Sequence, residues 1–164
     1  MEEDIIRKGH LIKLVISDVD GVLTDGGMYY SENGEFLKKF NTRDSMGMEL
    51  LNEIGIPTIM ITRENSKIVE KRAEKIQVRL FGNIRNKKSL LLDICKEYNI
   101  NVENIAYIGD DVNDIEIMKE VGLTGATNDA MDEIKRISDY VCTLKGGKGA
   151  FREFANLIIK INSE

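Results

Sequence analysis

Two acidic clusters, far apart in the chain, carry the residue types most capable of chemistry. The first closes the apolar run LVISDVDG, where Asp18 and Asp20 flank Val19 just ahead of Gly21. The second, YIGDDVND, spans Tyr107–Asp114 and sets Asp110, Asp111 and Asp114 after another apolar run and a glycine. Strand alternation puts the Asp18 and Asp20 side chains on one side, which is costly unless something positive sits between them. Each cluster alone also reads as a turn or a capped helix start, where Asp and Asn are favoured. Two acidic strand ends together can share one hard divalent cation. Mg²⁺ suits this best, because it takes few carboxylates, prefers octahedral oxygen ligands and keeps waters that a phosphate can displace.

Two further residues fit between the clusters. Thr62 closes IPTIMIT, so its hydroxyl reaches the same sheet edge, ahead of a helix whose N-terminal amides favour anions. Lys87, in GNIRNKKSL, begins another helix after the next strand. Taken singly, Thr62 reads as a strand-end cap and Lys87 as a solvated surface lysine. A hydroxyl, a lysine and a metal converging on one point could instead hold a phosphoryl group, with Asp18 as attacking carboxylate.

Such convergence needs several strand ends gathered on one edge. Apolar runs predict strands at 11–17, 57–61, 78–81, 104–108, 122–125 and 139–142. Helical periodicity falls at 44–54, 65–77, 86–98, 112–119, 130–136 and 149–161. This alternation predicts an α/β fold, a doubly wound, mostly parallel, Rossmann-like sheet with ligands at the strands' carboxyl ends. One segment breaks the rhythm. MYYSENGEFLKKF, residues 28–40, carries Asn33-Gly34 between two strand-like runs and predicts a β-hairpin projecting beside the aspartates. The insert is too short for a separate cap domain, and 164 residues suit a single domain spanning 1–164.

Composition narrows the function classes. A net charge of −5 recommends neither nucleic acid nor an anionic membrane as a general partner. Two cysteines, Cys95 and Cys142, stand far apart without a CxxC motif, which argues against a zinc site or a disulfide framework and fits a reducing cytosol. The start, MEEDIIRKGH, is charged and lacks the apolar run of a signal peptide or membrane span, so a cytoplasmic location is expected.

DVDGVLTDG, IT, Lys87 and GDDVND resemble the four motifs of the haloacid dehalogenase (HAD) superfamily. DGGMYY, KKFNTRDSMG, VEKRAEK, AYIGDDVND and GGKGAFREF extend the likeness to its small, capless sugar-acid phosphatase branch. The resemblance implies a Mg²⁺-dependent phosphatase working through an aspartyl-phosphate. Asp18 would attack phosphorus, while Asp20 would protonate the leaving oxygen and then take a proton from water. Mg²⁺ would be held by Asp18, the main-chain carbonyl of Asp20 and Asp110, with Asp111 or Asp114 behind them. Thr62 and Lys87 would bind the remaining phosphate oxygens; Lys87 is preferred to Lys88 for its spacing to AYIGDD. Arg63 departs from the branch, which has glycine there, and its side chain would either crowd the phosphate or add charge to it.

The same resemblance implies a phosphorylated acidic sugar as substrate and a homotetramer whose hairpins and neighbouring subunits complete the pocket. In ENSKIVEKRAEKIQV, Arg72 falls within the apolar stripe of Ile68, Val69, Ala73 and Ile76. It either snorkels at the edge of the core or, with Lys75, matches positions that bind the sugar carboxylate from an adjacent subunit. Glu64 matches a glutamate of the nonulosonate 9-phosphate phosphatases, where octulosonate 8-phosphate enzymes carry arginine, so the nine-carbon substrate is expected first. The glycines of GGKGAFREF read as a flexible loop or as part of substrate closure, with Lys148 and Arg152 near the pocket. A receiver domain uses similar residues, but its acidic pair precedes its phospho-acceptor, the reverse of the order here. A non-catalytic oligomerisation or regulatory module of a sugar-nucleotide pathway would have lost the nucleophile or its acid/base partner, and both are present.

Overall fold

The computed structural model describes residues 3–163. In chain order the elements are α1 (Glu3–Gly9), β1 (Leu14–Asp18), β2 (Tyr29–Ser31), β3 (Gly34–Leu37), α2 (Thr42–Glu53), β4 (Thr58–Ile61), α3 (Lys67–Ile76), β5 (Arg79–Phe81) and α4 (Leu91–Tyr98). There follow β6 (Ile105–Gly109), α5 (Ile115–Met118), β7 (Leu123–Ala126), α6 (Asp132–Ile137), β8 (Tyr140–Val141) and α7 (Ala150–Ser163). Single 3₁₀ turns at Lys87–Leu90 and Val112–Asp114 lead into α4 and α5.

β1 is buried along its whole length, as an unbroken apolar run requires of a central parallel strand. It pairs in parallel with β4 on one side and β6 on the other, within a sheet ordered β5-β4-β1-β6-β7-β8. Alternate residues of these strands feed two separate cores. Val15, Met60, Ala106 and Ile108 pack with Leu51 of α2, Val69 of α3 and Phe151, Phe154 and Ile158 of α7. Ile16, Ile59 and Tyr107 face the other way, onto Leu91 and Ile94 of α4, Ile117 of α5 and Ile134 of α6. The sheet is therefore doubly wound, as expected, and among the described residues no cap domain covers it.

This strand order has a functional consequence. The chain leaves β1 for one face and enters β6 from the other, so a crevice opens at the carboxyl ends of β1 and β6. Asp18 ends β1, and Asp110 follows β6 directly.

Three local differences from the sequence reading have physical causes. The first strand starts at Leu14 instead of residue 11, because α1 and its exit turn occupy the preceding residues. In the hairpin, Ser31 pairs with Gly34, so Glu32 and Asn33 form the turn and Gly34 takes the positive φ of 107° beyond it. The helix expected from residue 86 opens with a 3₁₀ turn that carries Lys87 inward. Among the described residues both cysteines are free, and no helix is long and apolar enough to cross a membrane.

Candidate active site

The carboxyl ends of β1, β4 and β6 border a cleft of about 170 Å³ lined by Asp18, Asp20, Thr62, Arg63, Glu64, Asp110, Asp111 and Asn113. Beyond Asp18 the backbone curls into a tight turn, with the N–H groups of Leu23 and Thr24 both donating to the Val19 carbonyl. Gly21 sits in this turn at φ +90°, where a Cβ would come within 1.9 Å of Asp110 Oδ2. Glycine is thus what lets the Asp110 carboxylate lie against the loop that carries Asp18 and Asp20.

Lys87 lies beneath the cleft, almost wholly buried. Its ammonium donates to Asp18 Oδ1 at 2.5 Å, to Asp114 Oδ1 at 2.6 Å and to the Tyr107 hydroxyl at 3.1 Å. All three of its hydrogens have acceptors. The neighbouring Lys88 instead pairs with Glu120 at the surface. Asp114 is equally committed. Its Oδ1 accepts from Lys87 and from Tyr107 at 2.6 Å, and its Oδ2 accepts from the N–H groups of Asp110 at 3.0 Å and Asp111 at 3.5 Å. Asp111 caps the 3₁₀ turn through Val112 N–H and is exposed at the cleft rim.

Oxygens of Asp18, Asp110 and Asp114 all lie within 4.8 Å of one another. Burial pushes the Asp18 carboxyl well above the usual carboxylate range, against the pull of Lys87. Asp110 is raised by burial first, then by the charges of Asp18 and Asp114. Burial and Asp114 together hold the Tyr107 hydroxyl well above its ordinary value. A buried and a half-buried carboxylate that resist ionising beside each other, both offering oxygen ligands, fit a hard divalent cation such as Mg²⁺. Asp114 has no spare donor capacity for it, so Asp18 and Asp110 are the side chains left to bind one.

These shifts make a prediction for the metal-free protein. A carboxyl whose folded pKa is raised binds more protons folded than unfolded, so stability falls as pH rises from the ordinary carboxylate value of 3.8 toward the raised one. The melting temperature measured in chelator should therefore decline above about pH 4, and saturating Mg²⁺ should remove most of that slope. One part should persist. Buried Asp44 on α2 is pushed up to about 6 by burial, against the Arg152 N–H and the charge of Arg72, and its Oδ2 has no hydrogen-bond partner among the described residues. Asp44→Asn should abolish the metal-independent slope between about pH 4 and 6.

Asp20, half-buried, sits on the opposite wall. Its Oδ2 accepts from the Thr62 hydroxyl at 3.1 Å, and Thr62 Oγ1 in turn accepts from Glu64 N–H at 3.1 Å. Its Oδ1 is bonded to Lys38, just past β3. The sequence reading missed Lys38. The available signal was the Lys38-Lys39 pair at the end of a strand-like run, since alternation must turn one of the two inward; Lys39 is the exposed one.

Other expected residues are not brought to the cleft within one chain. Arg72 and Lys75 line a separate groove with Thr42, Ser45, Glu49 and Gln77. Arg72 donates to Ser45 Oγ at 3.1 Å and lies over the Phe40 ring at 5.6 Å. Lys148 is exposed, and Arg152 Nε bonds Asn156 Oδ1 at 2.8 Å. The glycines of that segment make close backbone contacts. Gly147 N–H donates to Val22 O at 2.9 Å, and a Cβ on Gly146 would meet Gly21 O at 1.9 Å, so the segment packs against the loop after Asp18.

A doubly wound sheet with a buried aspartate at its switch point, a lysine beneath it and an acidic cluster beside it defines a class of phosphoryl-transfer hydrolase. Residues 59–152 match the family model of haloacid dehalogenase-like hydrolases. The chain is 40% identical over 157 residues to the 3-deoxy-D-manno-octulosonate 8-phosphate phosphatase KdsC of Escherichia coli (strain K12), covering 95% of this chain and 84% of that one. The phosphatase of the same name from Yersinia pestis matches in structure with a TM-score of 0.95 and 35% identity, over 99% of this chain and 89% of that one. The Moraxella catarrhalis phosphatase, solved with magnesium ion, phosphate ion and KDO, matches with a TM-score of 0.94 and 32% identity, over 99% of this chain and 94% of that one. The chain belongs to the haloacid dehalogenase-like hydrolases, and it is a phosphoric monoester hydrolase.

Proposed function

We propose that residues 1–164 form one cytoplasmic, Mg²⁺-dependent phosphatase unit that dephosphorylates an acidic sugar, 3-deoxy-D-manno-octulosonate 8-phosphate first. The observation that carries the mechanism is Asp18 held by Lys87 on one side of the cleft, with Asp20 anchored by Thr62 on the other. Asp18 attacks phosphorus in line and forms an aspartyl-phosphate as the bond to the sugar oxygen breaks. Asp20 gives that oxygen its proton, then takes one from the water that hydrolyses the intermediate. Asp18, the Asp20 carbonyl and Asp110 would hold Mg²⁺, which would supply positive charge between the carboxylate nucleophile and its anionic target. Lys87 opposes the burial that disfavours the ionised form of Asp18, and Asp114 keeps Lys87 and the Asp110 backbone in place. Exposed Arg63 on the cleft wall adds charge for the phosphate without filling the floor.

The name of the 40%-identical relative and the KDO found with the Moraxella catarrhalis phosphatase support the eight-carbon substrate. Glu64 on the cleft lining supports the nine-carbon nonulosonate 9-phosphate as a second reading. In either case the exposed Tyr29, Tyr30 and Phe36 of the hairpin suit burial between copies in a homotetramer. Arg72 and Lys75 of a neighbouring copy would then meet the sugar carboxylate.

Phosphate release from both compounds, with Mg²⁺ and with chelator, tests the reading. The expected result is metal-dependent turnover with the higher kcat/KM on octulosonate 8-phosphate. A higher value on the nonulosonate would select the second reading. Release from neither would overturn both readings of the substrate.

A further inference from the structure

We propose that Lys38 is the positioning residue for the acid/base carboxylate of Asp20, and that through it the β2–β3 hairpin holds that carboxylate in its working direction. The inference rests on the phosphatase reading above. Lys38 stands one residue beyond β3, and its side chain has no exposed surface. An ammonium withdrawn from water in this way is costly unless it is paired and hydrogen-bonded. It meets two carboxylates, that of Asp20 and that of Glu35 at 2.9 Å. Burial alone would lower the Lys38 pKa; the two carboxylates outweigh it and hold the ammonium above its ordinary value.

The far end of this chain of contacts is also built. Ser66 is the N-cap of α3, yet its hydroxyl makes no bond to the helix N–H groups and donates to Glu35 instead. A serine at an N-cap normally stabilises its helix by capping, on the order of 1 kcal/mol. Here that hydroxyl is committed to orienting Glu35, which orients Lys38, which orients Asp20. With Lys38 on Oδ1 and Thr62 on Oδ2, both oxygens of Asp20 are anchored and the plane of the carboxylate is set. Neither Lys38, Glu35 nor Ser66 lines the cleft, so the three act through Asp20 and not on substrate. Proton transfer to a leaving oxygen depends on that direction, because a small misplacement forfeits much of the gain from a positioned acid.

The leaving group supplies the test. A sugar alkoxide needs a proton as it departs, whereas p-nitrophenolate leaves with little help. Because kcat/KM covers only the steps through the first irreversible one, comparing a sugar phosphate with p-nitrophenyl phosphate isolates the acid step from later hydrolysis. In the Mg²⁺-loaded enzyme, Lys38→Met should lower kcat/KM by about 30- to 100-fold on the sugar phosphate and by no more than about threefold on the aryl phosphate. Glu35→Gln, which keeps the Lys38–Asp20 contact but loosens it, should show a selective loss of about fivefold in the same direction. It also keeps the proposal testable if Lys38→Met does not fold. Equal losses on both substrates in Glu35→Gln would assign the network to folding alone, and no loss in either variant would remove its role. Should the wild-type enzyme release phosphate from neither compound, the phosphatase reading falls first and this inference with it.

Discussion

Asp18→Asn is expected to abolish phosphate release, by at least about 10⁴-fold in kcat, while making the metal-free protein more stable. The two effects have one origin. An amide has nearly the shape of the carboxylate but cannot attack phosphorus, and removing a covalent nucleophile costs orders of magnitude more than removing a binding contact. In the absence of a divalent cation, however, the wild-type site crowds the carboxyls of Asp18, Asp110 and Asp114 around the single ammonium of Lys87. Taking one of the three crowded carboxyls away relieves the mutual disfavour of their ionised forms, and Lys87 keeps Asp114 at 2.6 Å. A gain of about 1 kcal/mol corresponds to a melting temperature higher by about 2–4 °C for a chain of this size. Calorimetry in chelator measures it. With Mg²⁺ the order should reverse, because the wild type alone keeps both carboxylates that bind the ion. A melting temperature lowered in chelator would show that the Lys87–Asp18 pair outweighs the repulsion.

The parts of this site that were legible in the sequence are those that follow from chain order and alternation. A buried parallel strand needs an apolar run, so β1, β4 and β6 could be placed. Once they were, Asp18, Thr62 and Asp110 had to fall at one edge. What pairs with what was not legible. Asp111 and Asp114 stood as equal candidates behind the metal. They separate only because the 3₁₀ turn swings Asp114 back beneath β6, close over Gly109, where a Cβ would lie 2.4 Å from Asp114 Oδ2. Arg72 was placed within an apolar stripe, but its partners Phe40 and Ser45 come from segments far away in sequence. α1 was missed because EDIIRKG has too few apolar residues to show a helical face. It is held by packing, with Gly9 so close to Ile161 of α7 that a Cβ would sit 2.6 Å from its Cδ1. For Lys38 the adjacent Lys39 signals only that one of the two lysines turns inward, and the partner Asp20 comes from a segment 18 residues away.

Lys87→Met is expected to show the opposite balance, losing both turnover and stability. The side chain is 1% exposed and holds Asp18, Asp114 and Tyr107 at once. Methionine fills a similar volume, so packing is nearly kept and the change is electrostatic. Removing one partner of a buried charge pair typically costs about 3–5 kcal/mol, because the charge left behind has neither water nor a counter-ion. For this chain length that lowers the melting temperature by roughly 10 °C in chelator. Lys88→Met is the control: its partner Glu120 is a surface residue, and its melting temperature should not change measurably. Mg²⁺ should return part of the loss, about 2.7 kcal/mol at a hundredfold excess over its dissociation constant, provided Asp18 and Asp110 still bind it. Acid should do the same by another route. Protonating the stranded carboxylates removes the charge that Lys87 had balanced, so the deficit against wild type should be smaller at pH 5 than at pH 8. If the deficit is the same at both pH values, the carboxylates are already neutral across that range, and the lysine is needed to hold Tyr107 and Asp114 by hydrogen bonds and not to balance their charge.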